Sequence, residues 1–306
     1  MAKRRIHLTL AQGLAQAASL ALALCAGTAN AQTGKLLLTG GVSSIEGAAG
    51  GGLTPWALTG SYATNAQLGG TAQATRVRTG DYGLTIVGVA ASYSDRFELS
   101  LAQQDFDTGR TGAALGVPGL RLRQDIVSAK LRLFGEALLD SDTWLPQVAV
   151  GVQVKRARPG ALEPTLATLG AGTHGTDVYL SATKLFLAQG VLVNATLRAT
   201  KANQNGLLGF GGSAHDRYTA QPEISVAYLL NRHLGVGAEY RAKPDNLNPS
   251  ALGAGLKEDD WMDVFIAWAP VKNFSLTLAY VDLGRIVPGV VQRRQTGAYI
   301  SGQLAF

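Results

Sequence analysis

Hydrophobic and polar residues alternate one for one along most of this chain. Val148, Val150, Val152 and Val154 share one parity, while Gln147, Ala149, Gly151, Gln153 and Lys155 share the other. Val191, Val193, Ala195, Leu197 and Ala199 stand against Asn194, Thr196, Arg198 and Thr200. Leu234, Val236, Ala238 and Tyr240 oppose Gly235, Gly237, Glu239 and Arg241; Phe274, Leu276, Leu278 and Tyr280 oppose Ser275, Thr277 and Ala279. A helix would repeat at i, i+3 and i+4, whereas a period of two sends successive side chains to opposite faces of a strand. The pattern predicts strands over 35–43, 54–64, 67–78, 82–93, 96–105, 122–135, 145–156, 176–187, 191–202, 222–230, 234–243, 260–269, 273–283 and 292–306. That makes about fourteen. The low-bulk, Gly-rich stretch 43–53 also suits a loop or a plug threaded into the interior, and a twelve-strand barrel is then the alternative.

Alternation alone fits a soluble sandwich, with its apolar face inward, as well as a membrane barrel, with its apolar face toward lipid. The connections separate the two. Walking back from the C-terminus they run 284–290, the tight 271–273, the long 244–257, the tight 231–233, the long 203–217, the tight 188–190, the long 157–175, the moderate 137–144, the long 106–120 and the tight 94–95. Short turns on one rim and long loops on the other are the habit of outer-membrane barrels, with the short ones periplasmic. The chain also ends on an alternating strand, from Ala298 to a terminal Phe306, which resembles the signal by which such barrels are recognised for insertion. Trp56, Tyr93, Trp144, Trp261, Trp268, Tyr280 and Tyr299 near strand ends suit interfacial girdles. The predicted fold is therefore all-β, a transmembrane antiparallel β-barrel.

The N-terminus supports export. Lys3, Arg4 and Arg5 precede a mostly apolar run from Ile6 to Ala26, and Ala29-Asn30-Ala31 supplies a small-x-small cleavage pattern. A signal peptide over 1–31 and a mature barrel over 32–306 are expected, in the outer membrane of a Gram-negative bacterium. The signal's apolar core, Ala17 to Leu24, is shorter than the ~20 residues a helical span needs. The one cysteine, Cys25, lies inside this segment behind Leu24, where lipidation would want a small residue. The mature chain then has no thiol, which excludes disulfides, zinc–thiolate sites and cysteine nucleophiles. Of the net charge of +6, three units belong to the signal. The small, scattered remainder argues against nucleic-acid binding.

Candidate chemistry is sparse, and neither an enzyme nor a cofactor is expected. His215-Asp216 is the one adjacent acid–base pair, and exposed pairs of this kind are usually only solvated. Gly209-Phe-Gly-Gly-Ser213 lacks the helix and the Lys-Ser/Thr that phosphate binding would require. Glu258-Asp259-Asp260 reads as a solvated rim before it reads as a cation site. The lumen-facing parity is more informative: Lys130, Arg132, Lys155, Arg198, Arg241 and Arg293, with Glu98, Glu223, Glu239 and Asp263. Such charges line a passage and bias its selectivity, here weakly toward anions, or they pair and brace a shut barrel.

Several stretches resemble the DUF3034 family of exported proteobacterial proteins. They are Lys35 to Trp56 (Lys-Leu-Leu-Leu-Thr-Gly-Gly-Val-Ser-Ser-Ile-Glu-Gly-Ala-Ala-Gly-Gly-Gly-Leu-Thr-Pro-Trp), Arg78 to Gly83, Asp142 to Pro146, and Glu239 to Leu247. The likeness spans nearly all of the mature chain. It implies an envelope location and carries no activity and no catalytic residues. The expected function is a porin-like channel for small polar solutes. The alternative is a non-transporting structural, envelope-assembly or adhesion barrel that binds partners through its loops. Expected partners are outer-membrane lipid, lipopolysaccharide and the barrel-assembly machinery, the last through Phe306. The orientation is testable with single cysteines and an impermeant thiol reagent on intact cells. Sites within 157–175, 203–217 and 244–257 should label and sites within 188–190 and 231–233 should not; the opposite pattern would invert the topology.

Overall fold

The computed structural model describes residues 35–40, 42–138, 143–251 and 253–306; the expected signal over 1–31 and the start at Gln32 lie outside them. Twelve antiparallel strands close into one barrel. They are β1 (Leu68–Thr79), β2 (Gly83–Tyr93), β3 (Phe97–Asp107), β4 (Arg121–Phe134), β5 (Gln147–Arg158), β6 (His174–Phe186), β7 (Val191–Thr200), β8 (Thr219–Asn231), β9 (Leu234–Arg241), β10 (Trp261–Val271), β11 (Phe274–Asp282) and β12 (Thr296–Ala305). Each pairs with its sequence neighbours, and β1 closes on β12 through a ladder from Thr71↔Ala305 to Thr79↔Gly297. Phe306 continues this seam: its N–H donates to the Gly70 carbonyl at 2.9 Å.

The strands predicted over 35–43 and 54–64 do not form. Their described residues lie inside the barrel or at its rim, so the count is twelve and the plug extends well beyond 43–53. The reason is legible in the residues. Leu36, Leu37 and Leu38 are consecutive, so they cannot all face one side of a pleat. Gly40, Gly47, Gly50, Gly51, Gly52 and Pro55 weaken any ladder further. The twelve other strands appear within a few residues of prediction. The last begins at Thr296 rather than 292, which moves Arg293 off the lumen and onto a rim loop.

Burial shows which face is which. Along β5 Gln147, Gln153 and Lys155 are buried while Val152 and Val154 are exposed; along β7 Asn194, Thr196 and Arg198 are buried while Leu197 is exposed. Leu99, Val127, Leu180, Val264, Ile266, Leu278 and Ile300 continue the outward apolar belt around the barrel. An aqueous protein buries such residues, so this is the surface of a membrane-spanning barrel. Tyr93, Phe97, Phe134, Tyr228 and Trp268 stand exposed near its short-turn rim. Trp56, Trp261 and Tyr299 leave the expected girdle, being buried within the barrel. Parity explains the case of Trp261: seven positions from Trp268 on one strand, it must face the opposite side.

The two rims differ as expected. One carries the turns 94–96, 187–190, 232–233 and 272–273; Ser94 and Asp95 both take positive φ (57° and 51°), the geometry of a two-residue hairpin turn. The other carries 108–120, 159–173, 201–218, 242–260 and 283–295, with the short helices α1 (Gly109–Ala114) and α2 (Glu163–Thr168) among them. Two connections depart from this parity: the turn 80–82 is tight on the long-loop rim, and the connection 135–146 between β4 and β5 is long on the short-turn rim. Ile266 sits mid-strand on the outer face, so Ile266→Arg is expected to lower unfolding stability in lipid vesicles by ~2–4 kcal/mol. A urea titration that finds no loss would remove Ile266 from the lipid surface.

Candidate functional site: a luminal plug and its charge latch

The described residues of 35–63 enter the barrel at the short-turn rim, rise through it and return to the same rim before β1. Lys35 lies 2.6 Å from Asp95 and donates to Thr59, at the entry; Ser61 meets Ser92 on the way out. The segment holds its shape by its own bonds, Ile45 N–H to the Gly52 carbonyl (2.8 Å) and bridges Ser43↔Ala49 and Gly50↔Pro55. Toward the short-turn rim Leu38, Trp56 and Leu58 pack against inward-facing Leu185, Leu192 and Phe265. Higher up, the wall meets backbone groups that a coil leaves free. Gln73 and Gln104 donate to the Ser44 and Ile45 carbonyls and Thr196 to Pro55, while Gln147, at the level of the leucine packing, donates to Ala57.

At the upper turn of this segment Glu46 is fully buried among three wall cations. Its carboxylate meets Lys155 Nζ, Arg241 Nη2 at 2.8 Å and Arg198 Nη2 at 3.0 Å. Two wall carboxylates complete the group. Asp177 lies 2.6 Å from Lys155 and takes a hydrogen bond from Thr200, and Glu223 bridges Arg198 and Arg241. Gln153 accepts from Arg198, whose guanidinium lies 5.3 Å from the Tyr179 ring centre. Three cations thus face three carboxylates, and Glu46 supplies the third negative charge from the plug. Burying charge is tolerable only when it is paired and hydrogen-bonded in this way.

A second clamp lies nearer the entry. Lys130 and Glu98 pair at 3.1 Å. Lys130 donates to the Ala49 and Leu58 carbonyls, while Glu98 accepts from the Ala49 and Gly60 N–H groups. Glu239 forms a third, accepting from Leu53 N–H (2.6 Å) and the Thr54 hydroxyl (2.7 Å). A β-carbon at Gly51 would fall 2.0 Å from the Glu239 carboxylate, which would have to shift and give up its bonds to Leu53 and Thr54. Asp263, the cross-strand partner of Glu239, is buried with neither carboxylate oxygen hydrogen-bonded among the described residues.

Of the residues selected by parity, Lys130, Lys155, Arg198, Glu223, Glu239, Arg241 and Asp263, with Glu98, all face inward and are buried. Arg132 stays at the short-turn rim, tying Asp95 to Glu136. Arg293 corrects to the opposite rim, where it pairs with Asp81 at 2.6 Å. Glu46, Asp177 and Lys35 were not selected. Asp177 could have been, since it shares the parity of Ser181 and Thr183 on β6. The remaining candidates disperse. Asp216 pairs with Lys201, and loop 209–213 packs through Phe210 against Gly172. Glu258, Asp259 and Asp260 turn to Lys243, Arg285 and Tyr240 in turn. The Arg285 fork holds the Asp259 carboxyl down at about 2.

The long loops close over the mouth above the latch. Asn203–Gly206 dips inward, Gln124 donates to the Asn205 carbonyl, and Gln204 bonds Ile286, Glu258 and Lys243. Burial pushes the Glu258 carboxyl up to about 7, against the attraction of Lys243 at 3.3 Å. A carboxyl whose value rises on folding stabilises the fold most below its unfolded value near 4.5, and that contribution is lost as pH climbs through about 7. Amide exchange in 201–210 should therefore quicken between pH 5 and 8, beyond its intrinsic rise, and Glu258→Gln should flatten that excess. An excess that persists in the glutamine variant would assign it to another group.

Comparison with curated proteins finds no match. Among solved structures, the KdgM porin is 9% identical at a TM-score of 0.46, over 77% of this chain and 99% of its own. The NanC porin is 8% identical at 0.48, over 77% and 98%. The COG4313 outer membrane channel from Pseudomonas putida F1 is 11% identical at 0.48, over 80% and 97%. Identities and scores this low carry none of those proteins' properties to this chain. The family described as "Protein of unknown function (DUF3034)" matches residues 39–303. Spanning that much of the sequence, the match establishes that this chain belongs to the DUF3034 family.

Proposed function

We propose that the protein is a porin-like barrel of the outer membrane whose conduit for small polar solutes is shut at rest by its own luminal segment. The observation that carries this reading is the Glu46 latch, which spends Lys155, Arg198 and Arg241 on the plug rather than on a passing solute. When Glu46 leaves, those three cations face Asp177 and Glu223 alone, and one surplus positive charge remains at the level of the belt. A weak preference for anions follows for the opened state. The outer surface supports the location. Arg76, Arg78, Arg121, Arg123, Arg156 and Arg158 project outward near the long-loop rim against Asp105, Asp107 and Asp125. A cationic crescent at that height suits the anionic head groups of lipopolysaccharide. Phe306 at the closing seam is the residue we assign to the assembly machinery.

A second reading is favoured by the folded loops: a barrel that stays shut and displays them to an envelope partner. Planar-bilayer recording separates the two. The unaltered chain is expected to stay closed, and a variant lacking residues 36–60 to give ohmic steps. Glu46→Ala leaves a buried cation uncompensated, a change that typically costs ~3–5 kcal/mol, and should give intermittent openings. In the open variant Arg198→Glu should move the reversal potential toward cations. Steady conductance from the unaltered chain would refute the plug as a barrier. Silence from a deletion variant that still shows heat-modifiable mobility would hand the lead to the second reading.

A further inference from the structure

Five of the long connections converge over the mouth and leave a cleft of about 420 Å³ between them. Leu115 and Val117 line it from one loop, Leu166 and Leu169 from a second, and Val287 and Val290 from a third, with Val290 at the lip. Loops on the water side of a barrel have little reason to collect leucines and valines unless those side chains are covered. Here Leu115 remains 49% exposed. A concave, mostly apolar site of this size matches the dimensions of small-molecule pockets. Its floor narrows to a crevice of about 30 Å³ against Phe106, Leu122 and Trp261, too tight to pass a molecule toward the plug. The cleft is built to hold a ligand rather than to conduct one.

Charge at the lip narrows the class of occupant. Beside Val290 lies a shallow depression bordered by Arg110, Gln292 and Arg293. Both arginines lean on one buried carboxylate, Asp81, at 2.6 Å for Arg293 and 3.5 Å for Arg110. Their own side chains are 55% and 73% exposed. One carboxylate between two guanidinium groups leaves a surplus positive charge facing water at the edge of an apolar cleft. We infer that the cleft binds a single-chain anionic amphiphile entering from the aqueous side. Its chain lies among the loop leucines, and its head group lies at Arg110 and Arg293. This site does not depend on whether the lumen conducts.

The test uses the full mature chain in lipid nanodiscs, with sodium dodecanoate as the probe and protein-free nanodiscs as the blank for partitioning. Calorimetric titration is expected to show saturable binding above the blank. Leu115→Asp with Val290→Asp puts charge in the chain site and should weaken it by roughly tenfold or more. Arg110→Ala with Arg293→Ala should weaken dodecanoate by about two- to fivefold, as exposed ion pairs do, and leave dodecanol unchanged. Heat-modifiable mobility confirms that each variant is folded. No saturable binding above the blank, or binding indifferent to the aspartates, would overturn the assignment. Added lipopolysaccharide should not compete; competition would give the cleft to a membrane acyl chain and overturn entry from water.

Discussion

The interior is organised by the need to neutralise three cations that the wall alone leaves under-compensated. Lys155, Arg198 and Arg241 come from β5, β7 and β9, which alternate with strands bearing Asp177 and Glu223. The wall thus offers two carboxylates to three positive groups, all removed from water. Glu46 closes that deficit, and to reach it the chain must send residues 35–63 up the bore. The other plug contacts follow from this placement. Once Glu46 is in the upper lumen, the backbone on either side of it runs past Gln73, Gln104, Lys130 and Glu239, whose side chains take up its N–H and carbonyl groups.

The same constraint explains why the inner wall is polar at some positions and apolar at others. A coil buried in a barrel has no ladder of its own, so the wall must supply donors and acceptors wherever the coil presents backbone. Where the plug instead presents Leu38, Trp56 and Leu58, the wall offers Leu192 and Phe265. Lumen and plug are two halves of one core. The apolar belt outside belongs to a separate problem, that of matching lipid.

Much of this was readable from the chain. Period-two patterning placed twelve strands within a few residues, because lipid on one face and a polar interior on the other enforce parity at every position. Parity also selected Arg198, Arg241 and Lys155 for the interior. It could not say what they meet there, since a partner on a coil has no period. The Leu36–Leu38 run argues against the strand predicted over 35–43, since three adjacent leucines contradict the pleat. A second clue was available in Leu192 and Phe265, bulky apolar residues at lumen parity that only another apolar surface would accept. Arg293 was misplaced because the strand start was set too early, and one rim residue gives parity no neighbours to check against.

Both ends of the luminal segment leave at one rim, and this governs how it responds to force. A load applied to Lys35 along the bore meets the contacts in sequence. The Lys35–Asp95 pair breaks first, then the leucine packing, and the three links of Glu46 come under tension only when the segment below has been drawn straight. Resistance to such a pull is set by the strongest single cluster, not by the sum of all contacts. Pressure on the tip from the loop side loads every contact together, with β1 as a covalent stop. The segment is therefore mechanically anisotropic, yielding by peeling in one direction and resisting in shear in the other.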